Sequence, residues 1–295
     1  MARIEGLGAW PARALWAALG LVSGSTFRAA LNHRSTAVVT VAYVLLGTAW
    51  VVGAVALLVP RSTALTAIRV IVPAGPVVVA WAAAAGGKVD AFDLAAAAVA
   101  ALAAATALAP WVAEAFVDGS AYGPERRTPL RTPVLLWLMA PALWVLAAAG
   151  VAAGPLLVAA RLWVPGGVAL VVGWPVAAAA VRSLHQLARR WVVIVPAGLV
   201  IHDPLTMPEP QLFLRRMIHH VGVAEDDGAP ALVTEDLTAG AAGLVLEVVL
   251  AEPVELLVRE GRGRSATRTV DRVLFSPSRP LSLLGAASER RIPVA

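Results

Sequence analysis

The amino-acid sequence predicts an α-helical bundle of membrane-spanning segments, followed by a small, mostly-β domain that ends in a helix. Three observations predict this fold class. Hydrophobic residues make up 59% of the 295-residue chain and charged residues only 15%, whereas roughly a quarter of an ordinary globular chain is charged. The apolar residues are concentrated between positions 37 and 181. From Trp191 onwards the pattern changes to short, β-branched runs separated by turn residues, which is typical of strands.

The first 35 residues form a separate N-terminal segment. Residues 7–22 are rich in Leu and Trp but include Pro11 and Arg13, and this stretch is shorter than the roughly 20 residues that a spanning helix needs. We therefore expect an interfacial helix here, with a marginal additional span as the alternative. A cleaved signal peptide is disfavoured because Arg13 interrupts the apolar run.

Residues 36–182 are expected to hold about five spans. The third predicted span is mostly alanine, which suits close packing against neighbouring helices. The second contains Pro73 and Pro76, and these are expected to kink it. The border between the last two spans is left open because Gly154 and Pro155 interrupt the apolar run. The predicted spans are residues 36–59, 66–85, 94–116, 134–153 and 156–181.

The distribution of arginine predicts the orientation of the C-terminal domain, residues 183–295. The strongest basic cluster directly follows the last span and consists of Arg182, Arg189 and Arg190. Because cytoplasmic loops carry an excess of Lys and Arg, the chain is predicted to be a multi-pass protein of the cell membrane with this domain in the cytoplasm. The side of the N-terminus is left open, because five spans place Arg28 and Arg34 outside together with the N-terminus, whereas a sixth span, or fusion of the last two, moves the N-terminus inside.

The C-terminal domain also carries a recognisable order of segments. A basic helix leads into the run RRWVVIVP, which turns at Gly198 into GLVIHDP; the run RRMIHHV, further strands and a helix after Pro280 follow. Residues 184–292 resemble the bacterial pleckstrin-homology-like domains that are attached to membrane spans. The resemblance implies a strongly bent antiparallel sheet with a capping helix, and docking of lipid or protein rather than chemistry. The whole chain is similar to multi-span membrane proteins of actinobacterial type, although it departs from the two spans usual for these domains.

Histidines and carboxylates of this domain were considered as metal ligands, because imidazole and carboxylate groups suit zinc. The candidates are His202, Asp203, His219 and His220. Neighbouring histidines on one strand point to opposite faces, so we expect surface histidines and no metal site. The chain contains no Cys, which excludes disulfides, thiolate metal sites and cysteine nucleophiles.

Ionisable residues in or beside the spans are functional candidates. A Glu114–Arg161 pair inside the bundle would indicate an ion or proton path, whereas the alternative places both at helix ends near the headgroups. Asp90 and Asp93 could serve an enzyme that acts on envelope lipids, but two carboxylates in one short loop are more often simply solvated.

Arginines near the membrane are predicted to bind anionic lipid or a partner protein. The alternative is that they act only as topology signals and juxtamembrane anchors. A net charge of +5 is modest for nucleic-acid binding, so membrane lipids and other membrane or envelope proteins are the expected partners and no nucleic acid is expected. The predicted binding residues are Arg126, Arg127, Arg131, Arg182, Arg189, Arg190, Arg215 and Arg216.

The sequence carries no phosphate-binding glycine loop, no nucleophile elbow and no metalloprotease helix. The leading hypothesis is therefore a non-enzymatic membrane protein without a cofactor, which presents a small docking domain at the inner membrane face to protein or anionic lipid. The alternative hypothesis is a component of a small-solute or ion transporter, in which the C-terminal domain is regulatory.

Overall fold

The structure is a computed structural model that describes residues 8–119, 121, 123–224, 233–261 and 263–295. The chain divides into two compact units. The helical unit comprises Met1–Phe116 and Ala140–His185, and the two-sheet unit comprises Val117–Met139 and Gln186–Ala295. The expected border near residue 183 lies close to the last of the three breaks, between His185 and Gln186, but the two-sheet unit also takes in residues 117–139. The expected loop at residues 225–230 lies outside the described residues.

Within the described residues, four helices are long and apolar enough to cross a membrane, and the number of spans rises to six if each of two bent pairs forms one span. The bent pairs are α1 with α2, at 42°, and α5 with α6, at 54°. These helices confirm that the chain is a multi-span membrane protein. The helices are α1 (Trp10–Val22), α2 (Gly24–Leu31), α3 (Thr36–Leu58), α4 (Ser62–Ala85), α5 (Ala91–Ala107), α6 (Pro110–Asp118), α7 (Val134–Ala159), α8 (Trp163–Ala188) and α9 (Pro280–Glu289).

A pair of tryptophans joins α1 to α3. The Trp16 indole donates to the Trp50 carbonyl oxygen at 2.9 Å, and the Trp50 indole donates to the Trp16 carbonyl oxygen at 3.1 Å. Each ring lies over a glycine of the facing helix: a Cβ atom at Gly20 would lie 2.6 Å from Trp50 Nε1, and one at Gly53 would lie 2.7 Å from Trp16 Cζ2. The missing side chains thus let both indole N–H groups reach an acceptor, which a Trp in an apolar bundle requires.

Glycines also set the contact between α7 and α8. Gly150 and Gly173 approach so closely that a Cβ atom at Gly150 would collide with the Gly173 carbonyl oxygen, and a Cβ atom at Gly154 would lie 2.6 Å from the Leu170 side chain. Small residues spaced four apart let helix backbones approach in lipid, where packing rather than hydrophobicity drives association. The two helices therefore form a tight hairpin.

Hydrogen bonds pair the ends of several helices within the helical unit. The Arg13 side chain near the start of α1 donates to the Leu57 carbonyl oxygen near the end of α3, at 2.8 Å. The Thr66 hydroxyl, near the start of α4, lies 2.7 Å from Nδ1 of His185, near the end of α8. These bonds place the start of α1 level with the end of α3, and the start of α4 level with the end of α8.

The two-sheet unit contains two four-stranded sheets. The first has the order β1-β2-β3-β4, all antiparallel; the second has the order β5-β7-β8-β6, in which only β6 runs parallel to its neighbour β8. The first sheet is discontinuous in sequence, because β1 precedes the α7–α8 hairpin and β2 follows it. The strands are β1 (Arg126–Pro129), β2 (Trp191–Val195), β3 (Gly198–His202), β4 (Gln211–Leu214), β5 (Ile218–Val223), β6 (Thr234–Asp236), β7 (Leu246–Arg259) and β8 (Ser265–Phe275).

Both sheets and α9 contribute to one hydrophobic core. Alternate residues of β2, of β3 and of the first half of β7 face it, as the pleat requires, and Leu283 of α9 is fully buried against it. The expected mostly-β domain is thereby confirmed as a region of two small sheets that ends in a helix. Residues at the centre of the core include Val192, Ile194, Leu199, Ile201, Phe213, Val221, Leu246, Val248, Val273 and Phe275.

Candidate functional site

The eight predicted binding arginines differ in exposure. Arg126, Arg182, Arg215 and Arg216 are exposed; Arg127, Arg131 and Arg189 are half-buried; and Arg190 is buried. Arg190 is 2% exposed and pairs with Asp203 inside the two-sheet unit. Its predicted place in a headgroup-facing surface is therefore wrong, because its guanidinium is buried and each of its three nitrogens donates a hydrogen bond within the fold.

Two of the half-buried arginines hold parts of the two-sheet unit together. Arg131 donates from Nε to the Pro277 carbonyl oxygen and from Nη1 to the Ala242 carbonyl oxygen, both at 3.1 Å. Arg127 donates from Nη2 to Glu125 at 3.0 Å. A guanidinium has five N–H donors, so these contacts do not exclude a ligand, but they give Arg127 and Arg131 a structural role that the sequence did not indicate.

Arg215 and Arg216 form a pair of neighbouring exposed arginines in the two-sheet unit. They lie in a short 3₁₀ turn, Arg215–Met217, that carries the chain from β4 in one sheet to β5 in the other. The Arg215 backbone N–H donates to the Ala197 carbonyl oxygen at 2.8 Å, which fixes the turn against the β2–β3 hairpin. We call this pair the basic corner; its side chains project from a backbone that both sheets hold.

Trp191 and His202 form an aromatic pair on neighbouring strands of the first sheet. They are register partners, and their ring centroids lie 4.8 Å apart with an interplanar angle of 29°. Burial of the imidazole, and then the positive charges of Arg189 and Arg127, lower the pKa of His202 below its ordinary value, against the opposing effect of Asp203. The shift in the pKa of His202 therefore favours the neutral imidazole in a locally positive environment.

The two neighbouring histidines do not point to opposite faces as predicted. The pairing of β5 with β7 is irregular between Ile218 and His220, and this break brings Nδ1 of His219 to 3.0 Å from Nδ1 of His220. Nε2 of His220 lies 3.3 Å from Glu247. Within the described part of the chain, no group of three or more His, Cys, Asp or Glu side chains could hold a metal ion.

Glu114 and Arg161 occupy different settings. Glu114 is buried in α6, with 5% of its surface exposed. Arg161 is exposed in the turn that joins α7 to α8, where its φ is 63°. A turn at the end of two helices is not bilayer depth, so the structure adds no geometric support to an intramembrane pair and matches the helix-end alternative for Arg161.

Asp90 and Asp93 have structural partners at the start of α5. They form a capping box, in which the Asp90 side chain accepts from the Asp93 backbone N–H at 2.9 Å and the Asp93 side chain accepts from the Asp90 backbone N–H at 3.1 Å. The Thr26 hydroxyl also donates to Asp93 Oδ1 at 2.6 Å. These carboxylates stabilise the start of a helix and its contact with α2, which accounts for their positions without catalysis.

A groove of about 680 Å³ opens on the helical unit between α4, α7 and α8. Apolar side chains line most of the groove, and polar side chains form one of its ends. It was not predicted from the sequence that one face of α8 lines this groove. The spacing of its lining residues could have indicated a shared face, because residues three, four, seven, eight and eleven positions after Trp174 lie on one side of a helix. The apolar wall includes Val151, Trp174, Ala177, Ala178 and Val181; the polar end is formed by Thr63, Thr66, Arg182 and His185.

Comparison with known proteins gives no relative from which a function could be transferred. No family model matches the chain, and neither a curated protein nor a solved structure does.

Proposed function

We propose that the chain is a non-enzymatic membrane protein whose helical bundle presents the two-sheet unit as a docking domain at the inner face of the cell membrane. The observation that carries this proposal is the insertion of the α7–α8 hairpin between β1 and β2. Residues 130–133 join β1 to α7, and residues 189–190 join α8 to β2. Short connections of four and two residues therefore link two strands of one sheet directly to two candidate membrane helices along the chain.

The paired helix ends support six crossings, with each bent pair acting as one span. The bonds Arg13–Leu57 and Thr66–His185 then place the start of α1, the start of α4 and the end of α8 on the side of the two-sheet unit. The arginines at the end of α8 lie on the same side as the two-sheet unit. By the positive-inside rule, this distribution supports a cytoplasmic location of the two-sheet unit.

The basic corner, Arg215 and Arg216, is the proposed contact surface. Both side chains are exposed, and the turn that carries them is held by two sheets. A positive surface beside a membrane attracts anionic headgroups or an acidic segment of a partner protein, at about 1 kcal/mol per arginine near the surface. The pleckstrin-homology-like resemblance implies the same kind of docking.

The full-length protein in nanodiscs tests the proposal. Hydrogen exchange of the 211–220 region is compared between phosphatidylcholine discs and discs that also contain phosphatidylglycerol. Lipid docking predicts slower exchange in the anionic discs, lost in the Arg215→Gln/Arg216→Gln variant and kept in Arg264→Gln, which removes an exposed arginine outside the basic corner.

Protein docking gives a different result. Exchange is then the same in both discs, and a photo-crosslinker at position 216 in native membranes gives a discrete protein adduct that the double variant loses. If neither lipid-dependent protection nor a discrete adduct is found, the docking proposal is wrong.

A further inference from the structure

The groove on the helical unit has the anatomy of a site for an amphiphile. Six of its lining residues come from one face of α8, and they run from Trp174 to His185. At a rise of 1.5 Å per residue, this face is roughly 16 Å long. Small residues at its centre, Ala177 and Ala178, form the hollow. The volume of about 680 Å³ is in the range of sites that bind small ligands.

The polar end of the groove lies where α8 ends and α4 begins. Arg182 and His185 belong to the last turns of α8, which ends at Ala188, whereas Thr63 and Thr66 belong to the first turns of α4. The hydrogen bond of 2.7 Å between Thr66 and His185 joins these two helix ends. In a membrane, helix ends lie at the headgroup level and helix centres in the hydrocarbon, so the polar end and the apolar wall match the two parts of a lipid.

The charge at this end is positive and comes from two sources. Arg182 is exposed into the groove. The N-cap residue of α4, Arg61, makes no side-chain capping hydrogen bond, so the first backbone N–H groups of α4, beside Thr63, keep their capacity to donate to an anion. A guanidinium and an uncapped helix N-terminus both attract a phosphate group, and together they favour a headgroup of net negative charge over a zwitterionic or neutral one.

We infer that this groove binds an anionic phospholipid of the leaflet on the side of the two-sheet unit, with the phosphate between Arg182 and the start of α4 and an acyl chain along Trp174, Ala178 and Val151. The site lies within the helical unit. It is therefore independent of docking by the basic corner, and either proposal can fail without the other.

Matched substitutions on α8 provide the test. Ala178 and Ala179 are adjacent and both exposed, but only Ala178 lines the groove. The Ala178→Leu substitution fills the hollow, whereas Ala179→Leu adds the same side chain outside it. Arg182→Gln removes the cation, and Arg161→Gln removes an exposed arginine from the other end of the same hairpin.

The probe is phosphatidylglycerol with a photoactivatable group in its acyl chain, incorporated into nanodiscs with the full-length protein; the phosphatidylcholine analogue serves as reference. We expect phosphatidylglycerol to label the α8 peptide more than phosphatidylcholine does, by about fivefold. Arg182→Gln should remove this preference, and Ala178→Leu should reduce labelling by both lipids; Ala179→Leu and Arg161→Gln should leave the yield unchanged.

Two outcomes would overturn the inference. Equal labelling by the two lipids in the unsubstituted protein would show that the polar end does not select an anion. Equal labelling of the Ala178→Leu and Ala179→Leu variants would show that the lipid lies outside the groove. Circular dichroism and gel filtration of each variant, in the same discs, confirm that a loss of labelling does not result from unfolding.

Discussion

Arg190 and Asp203 form a bidentate ion pair inside the two-sheet unit. Nε of Arg190 donates to Oδ1 of Asp203 at 2.7 Å and Nη2 donates to Oδ2 at 2.6 Å, with side-chain exposures of 2% and 0%. Nη1 donates to the Arg131 carbonyl oxygen at 2.7 Å, and the Leu205 backbone N–H donates to Oδ1 at 3.0 Å. Because Arg131 precedes α7 and Arg190 follows α8, this network fixes both chain segments through which the hairpin joins the first sheet.

The Asp203→Ala substitution should destabilise the two-sheet unit by about 3–5 kcal/mol, because it leaves the Arg190 charge buried without its counter-ion. The free energy of opening of β2 and β3, from hydrogen exchange of the full-length protein, measures this effect. Glu260→Gln is the control: its pair with Arg268 is exposed, at 49% for each side chain, and should change that free energy by less than about 0.5 kcal/mol. If Asp203→Ala lowers the free energy of opening by less than about 1 kcal/mol, the ion pair is not needed for the stability of the two-sheet unit.

Alanine substitutions at Gly198 and Gly240 distinguish the free-energy cost of a steric clash from that of an unfavourable backbone conformation. Both have positive φ, at 155° and 74°. A Cβ atom at Gly198 would collide with the Phe213 carbonyl oxygen, whereas nothing lies within 4 Å of one at Gly240. Gly240→Ala should cost about 1–2 kcal/mol for its backbone conformation, and Gly198→Ala should cost more and loosen the pairing of β3 with β4. Equal losses, measured by hydrogen exchange of β3 and β4, would disprove the close approach.

The pKa of His202 predicts the pH dependence of the first sheet. Burial and the nearby arginines lower this pKa in the folded state, so the unfolded chain, with an ordinary value of about 6.5, binds the proton more tightly. The free energy of unfolding of this region should therefore be constant above about pH 6.5 and fall as the pH decreases from there towards the folded-state pKa.

Hydrogen exchange of β2 and β3 at several pH values between 5 and 8, corrected for the intrinsic exchange rate, measures this effect. The His202→Gln variant should lose its share of the pH dependence, whereas His219→Gln, which changes an exposed histidine in the second sheet, should keep it. An identical pH profile for His202→Gln and the unsubstituted protein would contradict the prediction.

The α7–α8 hairpin should depend on Gly150 and not on Gly167. Gly150 lies against the Gly173 backbone, whereas nothing lies within 4 Å of a Cβ atom at Gly167. Gly150→Leu should separate the helices and lower the thermal unfolding midpoint in a fixed detergent by several degrees, because the close contact supplies the packing energy of the pair. Gly167→Leu has the same change in volume and should leave the midpoint nearly unchanged. If both variants have the same unfolding midpoint, the close approach of Gly150 and Gly173 does not stabilise the hairpin.

The sequence predicted the division into apolar helices and a β-rich region because each depends on composition and periodicity over many residues. It did not predict β1, whose four residues, Arg-Arg-Thr-Pro, have no strand pattern. This strand forms through its pairing with the apolar strand β2, more than 60 residues further along the chain. A long-range partner of this kind leaves no local signal.

The same limitation explains the errors at the candidate sites. Arg190 was expected at the surface because its position after a span indicates a juxtamembrane anchor; its burial depends on Asp203, whose role the sequence does not reveal. His219 and His220 were expected on opposite faces, and only an irregularity in the β5–β7 pairing brings them together. The groove on α8 is different, since its apolar and basic residues recur at helical spacing. That signal was present in the sequence.

The number of crossings gives a final prediction. If both bent pairs were re-entrant, four spans would remain, and the start of α4 would lie on the opposite side of the membrane from the end of α8. The Thr66–His185 hydrogen bond joins these two ends and therefore requires α5 and α6 to cross. The Arg13–Leu57 hydrogen bond joins the start of α1 to the end of α3 and likewise requires α1 and α2 to cross, so six crossings are expected. Ser35 and Lys88 should then lie on the side opposite the two-sheet unit, and Arg61 on the same side.

Because the chain has no Cys, a single cysteine at each position can be labelled with a membrane-impermeant maleimide in intact cells. Labelling at 35 and 88, but at 61 only after permeabilisation, would establish that the pair α5–α6 crosses the membrane and that the two-sheet unit lies inside, as six crossings require. The reverse pattern would mean either that the unit lies outside the cell or that there are four crossings, and a cysteine within the two-sheet unit, at Ser265, would distinguish these by its own accessibility.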